Sequence, residues 1–446
     1  MNEDLDVLTR TDVLRRAWPI IIANATVPLI GLVDTAVIGH AGRVFDLGAI
    51  ALGTLVFNLL YFGVGFLRMG TTGFIAQAVG AGDELEVRAV LGRALIIALV
   101  IGLGLVLLKL PIAALALQLL HGSDAVERVA GEYVSIRLWA APAVLSTLAI
   151  RGALIGLGRS RDLLVLETAL NALNLGLNVT FVAVLGWGAR GVALGTMSAE
   201  WVGFCGGLWL VWQRLRERSA DAAVLVPWGR IWHPDQLRAM LGANGDILLR
   251  TVFLLFGFAF FTDRSAQLGD STLAANHVLL QFISFSAFFL DGYANVAESL
   301  VGAALGGRRR GLFDRAVQRS SELALVSALV LSLLFWSGGG LFIGWLTDLA
   351  SVQQDARAYL PFAALYVLLS VAAFQLDGIF IGATRTRAMR NASLISASTF
   401  LLAAYGLAPV YGNAGLWVAF IVFVVARAVA LGAYFPALRR SVGDGA

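Results

Sequence analysis

Apolar residues along this chain gather in long runs, and polar residues fall in the short gaps between them. A helix needs about 20 mostly apolar residues to cross a hydrocarbon core of about 30 Å. Twelve runs meet that length, at roughly 17–39, 48–80, 89–119, 130–157, 163–186, 190–213, 237–262, 271–304, 316–346, 357–383, 391–410 and 413–437. The pattern predicts an all-α integral membrane protein with an even number of spans. The longest polar stretch, about 214–236, parts the sixth run from the seventh and is too short for a soluble domain. Composition agrees: of 446 residues, 59% are hydrophobic and 14% charged, with a mean hydropathy of +0.81. A soluble chain of this length has no interior large enough for so much apolar surface.

Charge placement then orients the spans. With the amino terminus taken as cytoplasmic, twenty-two arginines fall in cytoplasmic segments, among them Arg214, Arg216, Arg218 and Arg308, Arg309, Arg310. Only Arg43, Arg128, Arg190, Arg264 and Arg357 fall in the opposite loops. This asymmetry predicts that both termini lie on the cytoplasmic side. The net charge of +4 expresses the same bias, and nucleic-acid binding is not needed to explain it. The start, "MNEDLDVLTR", lacks the basic segment of a cleaved signal peptide, so the first helix is expected to stay in the membrane. The sole cysteine, Cys205, excludes an internal disulfide.

The two halves repeat each other. Residues 133–161 align without a gap on 359–387, sharing Tyr133/Tyr359, Gly152/Gly378, Ile155/Ile381, Gly156/Gly382, Arg159/Arg385 and Arg161/Arg387. "TDVLRRA" at 11–17 meets "PDQLRAM" at 234–240, and Gly188/Gly191 meet Gly412/Gly415 at nearly the same offset. Duplicated six-helix bundles follow: a first lobe over 1–218, a linker over 219–236 and a second lobe over 237–446. Because six is even, both halves enter the membrane alike, and the axis relating them lies along the membrane normal.

Polar residues inside spans are expensive and mark function. Asp34 is the sharpest case, in "PLIGLVDTAVIGH", with Pro28 and Gly31 just before it and Asn24 on roughly the same side. Proline removes a backbone donor and bends the helix, and glycine loosens the same turn. An acid beside such a bend can load a proton on one side of the membrane and release it on the other. In the fifth run Asn174 and Asn178 share a face, near Asn171; the sixth run adds Thr196 and Glu200. Neutral amides and a hydroxyl suit a carboxylate in either protonation state, and equally suit ordinary interhelical packing. The second half carries Gln281, Asp291, Glu298 and Asp377, but the repeat places Gly257 opposite Asp34, so a proton site is expected in the first half. Of the in-span cations, Lys109, Arg137 and Arg427 are expected to snorkel to a span end. Arg68, deep in the second run, is expected to face an interior cavity. His40, His121, His233 and His277 are scattered without metal-ligand spacing, and no nucleotide or catalytic motif is present, so an enzyme is not expected.

Five stretches carry a resemblance: "VPLIGLVDTAVIGH", "FLRMGTTGFIAQAVGAGD", "GVALGT…AE", "LDGYANVAESLVGAALG" and "LDGIFIGATRTRAMRN". Together they resemble the multidrug and toxic compound extrusion (MATE) family, most closely its DinF-like branch, along nearly the whole chain. The resemblance implies twelve transmembrane helices in two pseudo-twofold-related six-helix bundles around a V-shaped cleft. It implies a secondary active exporter of lipophilic or cationic compounds in the bacterial inner membrane, a monomer without a cofactor, driven by protons or sodium. In the DinF-like branch an acid of the first helix takes up a proton and bends that helix, a role that maps onto Asp34. A related archaeal subgroup sets Asn, Asp and Thr beside that acid. Asn174, Asn178 and Thr196 match those positions, with Asn178 where the subgroup has aspartate, which weakens a sodium site. The acid of the sodium-coupled branch falls here on Phe374, while Asp377 follows the DinF-like pattern. Proton coupling is therefore the expectation, with sodium left open. Asn24, Phe57, Asn58, Phe62, Arg68 and Met69 are the expected substrate-facing residues. The rival functions are an organic-anion exporter anchored by Arg68 and a lipid-precursor flippase.

Overall fold

The computed structural model describes residues 8–41, 44–119, 123–218 and 226–443, with side chains described except at 27–41, 44, 59, 62 and 115–119. The described chain is helical, without strands. Helix α1 (Arg10–Ala41) opens on a reciprocal cap: the Asp12 N–H donates to Thr9 Oγ1 at 3.2 Å, and the Thr9 N–H donates to the Asp12 carboxylate at 3.0 Å. There follow α2 (Val44–Phe62), α3 (Phe66–Gly80), α4 (Glu84–Leu107), α5 (Lys109–Leu119), α6 (Asp124–Leu138), α7 (Ala141–Gly156) and α8 (Ser160–Val179). The second part of the chain holds α9 (Gly188–Arg218), the short α10 (Trp228–Ile231), α11 (Pro234–Gln267), α12 (Asp270–Gly306), α13 (Arg310–Leu346), α14 (Ala350–Gly382) and α15 (Thr386–Ser441).

Among the described residues seven single helices are long and apolar enough to cross a membrane, and two bent pairs qualify when each is taken as one span. The bent pairs are α2 with α3 and α6 with α7, which occupy the second and fourth apolar runs. α15 covers the eleventh and twelfth runs as one helical stretch broken at Gly412, whose φ of +56° only glycine adopts cheaply. The break lets Asn413 turn inward, where it exchanges amide hydrogen bonds with Asn276 at 2.7 and 3.1 Å.

The chain divides into two compact units. One comprises Ile22–Ile75 and Asp83–Met240; the other comprises Met1–Ile21, Ala76–Gly82 and Leu241–Ala446. The boundary thus falls inside α1, inside α3 and inside α11. The first-half unit packs around Phe57, Tyr133, Val134, Leu138 and Val192. The second-half unit is held by an aromatic stack in which Phe420 meets Phe261 (centroids 4.5 Å) and Tyr366 (4.7 Å), with Trp417 beside Phe261 at 5.0 Å. The Trp417 indole N–H donates to Asn276 at 2.8 Å, so the buried indole donor is satisfied. Outward, large side chains such as Leu107, Trp345 and Leu402 are more than three-quarters exposed, the surface expected of helices solvated by lipid.

Candidate functional site

On α8, Glu167, Asn171, Asn174 and Asn178 follow one another at spacings of four, three and four residues, which places them on a single helix face. α9 meets that face through small residues. A Cβ at Gly195 would collide with the Asn178 side-chain oxygen, so only glycine lets the amide lie against α9. The result is a hydrogen-bonded chain: Asn178 Nδ2 donates to Asn174 Oδ1 at 3.2 Å, and Asn174 Nδ2 donates to Thr196 Oγ1 at 3.1 Å. All three residues are buried, at 0–3% exposure. Neither amide atom of Asn171 has a hydrogen-bond partner among the described residues. α8 ends just beyond, in a π-type turn over Thr180–Val184.

One turn toward the start of α8 the stripe becomes charged. The Glu167 carboxylate is paired with the Arg151 guanidinium of α7 at 2.6 Å and accepts a second contact at 2.9 Å. Glu200, one turn beyond Thr196 on α9, faces the charges of Arg151, Arg137 and Glu167. Arg137, one of the in-span cations expected to snorkel, is half-buried near the end of α6. Its guanidinium lies over the Phe57 ring at 4.5 Å and donates to the Tyr133 hydroxyl at 2.9 Å. Lys109 sits over the Trp139 ring at 4.4 Å. The Arg151–Glu167 pair escaped the sequence because its members are 16 residues apart on different helices; the spacing of Glu167 ahead of the asparagines was the available signal.

The other expected residues divide. Helix α1 runs through positions 28, 31 and 34, but the side chains of Pro28, Gly31 and Asp34 lie outside the described residues, as does that of Phe62. Asn24, Arg68 and Met69 are half-buried and Asn58 is exposed. Phe57, expected to face substrate, is instead buried in the core of its own unit, against Tyr61 and Tyr133.

In the second-half unit, Asp377 of α14 is buried between two cations. It is hydrogen-bonded to Arg250 of α11 and lies 3.8 Å from Arg427 of α15. Arg427, also expected to snorkel, is therefore turned inward, at 7% exposure. Asp246, one turn before Arg250, accepts from Arg390 at 2.7 Å and from Thr386 at 3.0 Å. Glu298 is buried, Asp291 is exposed, and Gln281 is exposed beside His277 at 3.3 Å. The four second-half candidates thus differ in setting, Glu298 and Asp377 buried and Gln281 and Asp291 exposed. Among the described residues no group of His, Cys, Asp and Glu is arranged to hold a metal ion.

Three comparisons with known proteins complete the picture. The MatE family model matches residues 19–180 and 247–405. The chain is 38% identical to the DNA damage-inducible protein F of Escherichia coli, over 94% of this chain and 90% of that one. It is 28% identical to the probable multidrug resistance protein NorM of Deinococcus radiodurans, over 91% and 90% of the two chains. Among solved structures, a MATE protein in its bent conformation superposes with a TM-score of 0.87 at 19% identity, covering 98% of each chain. The Vibrio cholerae MATE transporter VcmN, also in a bent form, gives 0.85 at 20% identity over 97% of each chain.

Proposed function

Because this chain belongs to the MatE family of multidrug and toxic compound extrusion transporters, we propose that it exports lipophilic or cationic compounds by proton-coupled antiport through alternating access. The observation that carries this reading is the buried Asn178–Asn174–Thr196 chain, which belongs to the same unit as Asp34. Amides and hydroxyls both donate and accept, so they serve an ionised carboxylate through N–H and a protonated one through C=O. Such a shell lets an acid change charge without leaving a buried polar atom orphaned at either stage, where each orphan costs about 1–3 kcal/mol. Asp34 is the proton-carrying acid, Pro28 and Gly31 supply the bend, and the first-half unit supplies the drug surface through Asn24, Asn58, Arg68 and Met69.

Two further observations favour protons over sodium and the first half over the second. Asn178 offers one neutral oxygen where a cation site gains most from a carboxylate. Asp377 is already matched by two guanidiniums within its own unit, the arrangement of a structural ion pair. The protein acts as a monomer in the bacterial inner membrane with both termini cytoplasmic, and uses no cofactor.

The test is transport in proteoliposomes with pH and sodium gradients imposed separately. A pH gradient alone is expected to drive efflux of a lipophilic cation such as ethidium, and Asp34→Asn is expected to abolish that drive while the variant still binds the dye. Wild-type rates in Asp34→Asn, or efflux driven by sodium alone, would overturn the mechanism.

A further inference from the structure

Away from the polar network, the first-half unit carries an apolar groove between α4, α9 and α10. Its volume is about 450 Å³, and Arg88, Gly92, Cys205, Trp209, Trp212 and Ile231 are among the residues that line it. The Arg88 guanidinium donates to the Leu215 carbonyl at 3.3 Å and marks one end. Leu95, two turns further along α4, and Cys205, nearly three turns back along α9, mark the other. At about 1.5 Å per residue the groove runs some 10–15 Å along the helices. Ile231 of α10 closes over α4 at Gly92, where its Cδ1 lies 2.7 Å from the position a Cβ would take.

The two ends differ in chemistry. Around the arginine end, most cations already have an acid: Arg214 with Asp162 at 2.7 Å, Arg218 with Glu84 at 2.7 Å, Arg230 with Asp83 at 2.6 Å. Asp83 also caps α4 through the Glu86 N–H at 3.0 Å. Its partial burial is outweighed by the Arg230 guanidinium and that N–H, which hold its carboxyl below the usual carboxylate range. Arg216 is different. It lies over the Trp212 ring at 4.9 Å, and no acid pairs with it among the described residues. Trp209, Trp212, Trp228 and Trp232 are 57%, 42%, 60% and 56% exposed around the groove. Indoles concentrate at the depth of lipid headgroups, so this end sits at the membrane interface and the Cys205 end reaches toward the acyl chains. A groove on spanning helices, cationic at the interface and apolar below it, complements an anionic amphiphile of the bilayer. It is a poor match for the cationic drugs proposed above, and a zwitterionic lipid brings no net charge to Arg216.

We propose that this groove seats one anionic phospholipid, its phosphate at Arg216 and an acyl chain along Gly92, Leu95 and Cys205. Cys205 is the only cysteine of the chain and is exposed, so the native sequence carries its own reporter position. The experiment labels Cys205 with bimane and reconstitutes the full chain in nanodiscs containing brominated phosphatidylglycerol or brominated phosphatidylcholine. Half-maximal quenching is expected at an about fivefold lower mole fraction of the anionic lipid, the preference one basic side chain confers at a membrane surface. Arg216→Gln, a change at an exposed position, is expected to remove most of that preference while leaving quenching itself intact. Equal quenching by the two lipids in the native chain would show annular lipid only. A preference undiminished in Arg216→Gln would remove the headgroup assignment. Displacement of the anionic lipid by ethidium at transport concentrations would make the groove a drug site. Each of these three results overturns the proposal.

Discussion

At the scale of single residues, the candidate site depends on a hydrogen atom: the Cα–H of Gly195, against which the Asn178 amide rests. Gly195→Ala inserts a methyl where the Asn178 oxygen lies, so the amide must rotate away and the whole Asn178–Asn174–Thr196 chain is expected to come apart. Thr196→Val is the milder change. It removes only the acceptor of the Asn174 N–H and leaves one buried donor unsatisfied, a loss of about 1–3 kcal/mol. Thermal melting in detergent should rank the two, with Gly195→Ala the lower, and dye efflux should fall in the same order. If both variants melt and transport as the native chain does, the network has no role in either. Asn174, Asn178 and Thr196 were legible in the sequence because four-residue spacing and span assignment suffice to align two amides on one face. Glu200 was legible as a residue but not as a neighbour of Arg137 and Arg151, since that depends on the packing of α6 and α7 against α9. Phe57 was misassigned for the same reason: an aromatic in a span reads alike whether it faces a cavity or a core.

At the scale of elements, the internal repeat carries a reversal of charge. The gapless alignment of 133–161 on 359–387 sets Arg151 of α7 opposite Asp377 of α14. Each is paired within its own unit, the half-buried Arg151 with the buried Glu167 and the buried Asp377 with Arg250 and Arg427. One helix position therefore holds opposite charges in the two halves, and the neighbouring helices have supplied the complement in each case. Removing one member of a buried pair leaves a charge that nothing compensates, at a cost of about 3–5 kcal/mol. Asp377→Ala is expected to destabilise the protein by that amount. A triple change, Asp377→Leu with Arg250→Met and Arg427→Met, is expected to recover most of the loss, because no charge is then left in apolar surroundings. Melting midpoints of the two variants check this. A triple variant less stable than Asp377→Ala would mean that the arginines hold something besides Asp377. Arg427 shows why sequence misled here: distance from a span end predicts snorkelling only when no buried acid lies nearer than the interface.

At the scale of the whole molecule, the twelve apolar runs were readable because a membrane demands length and apolarity of every span, and both are properties of sequence alone. The division into compact units was not, since it places 1–21 and 76–82 with the second half of the chain, and no local composition marks either boundary. Orientation lies between these cases. It follows from the arginine count rather than from any contact, and the family and fold leave it to be measured. Arg190, at the start of α9, and Arg387, at the start of α15, are both exposed and belong to opposite sides in the proposed topology. In a Cys205→Ser background, Arg190→Cys is expected to react with a membrane-impermeant maleimide added to intact cells. Arg387→Cys is expected to react only after the membrane is opened. The arginine asymmetry acts during insertion, so the result bears on more than labelling. If Arg387→Cys reacts from outside, the groove at Arg88 and Arg216 faces the outer leaflet, and the direction of proposed drug movement across Asp34 is reversed with it.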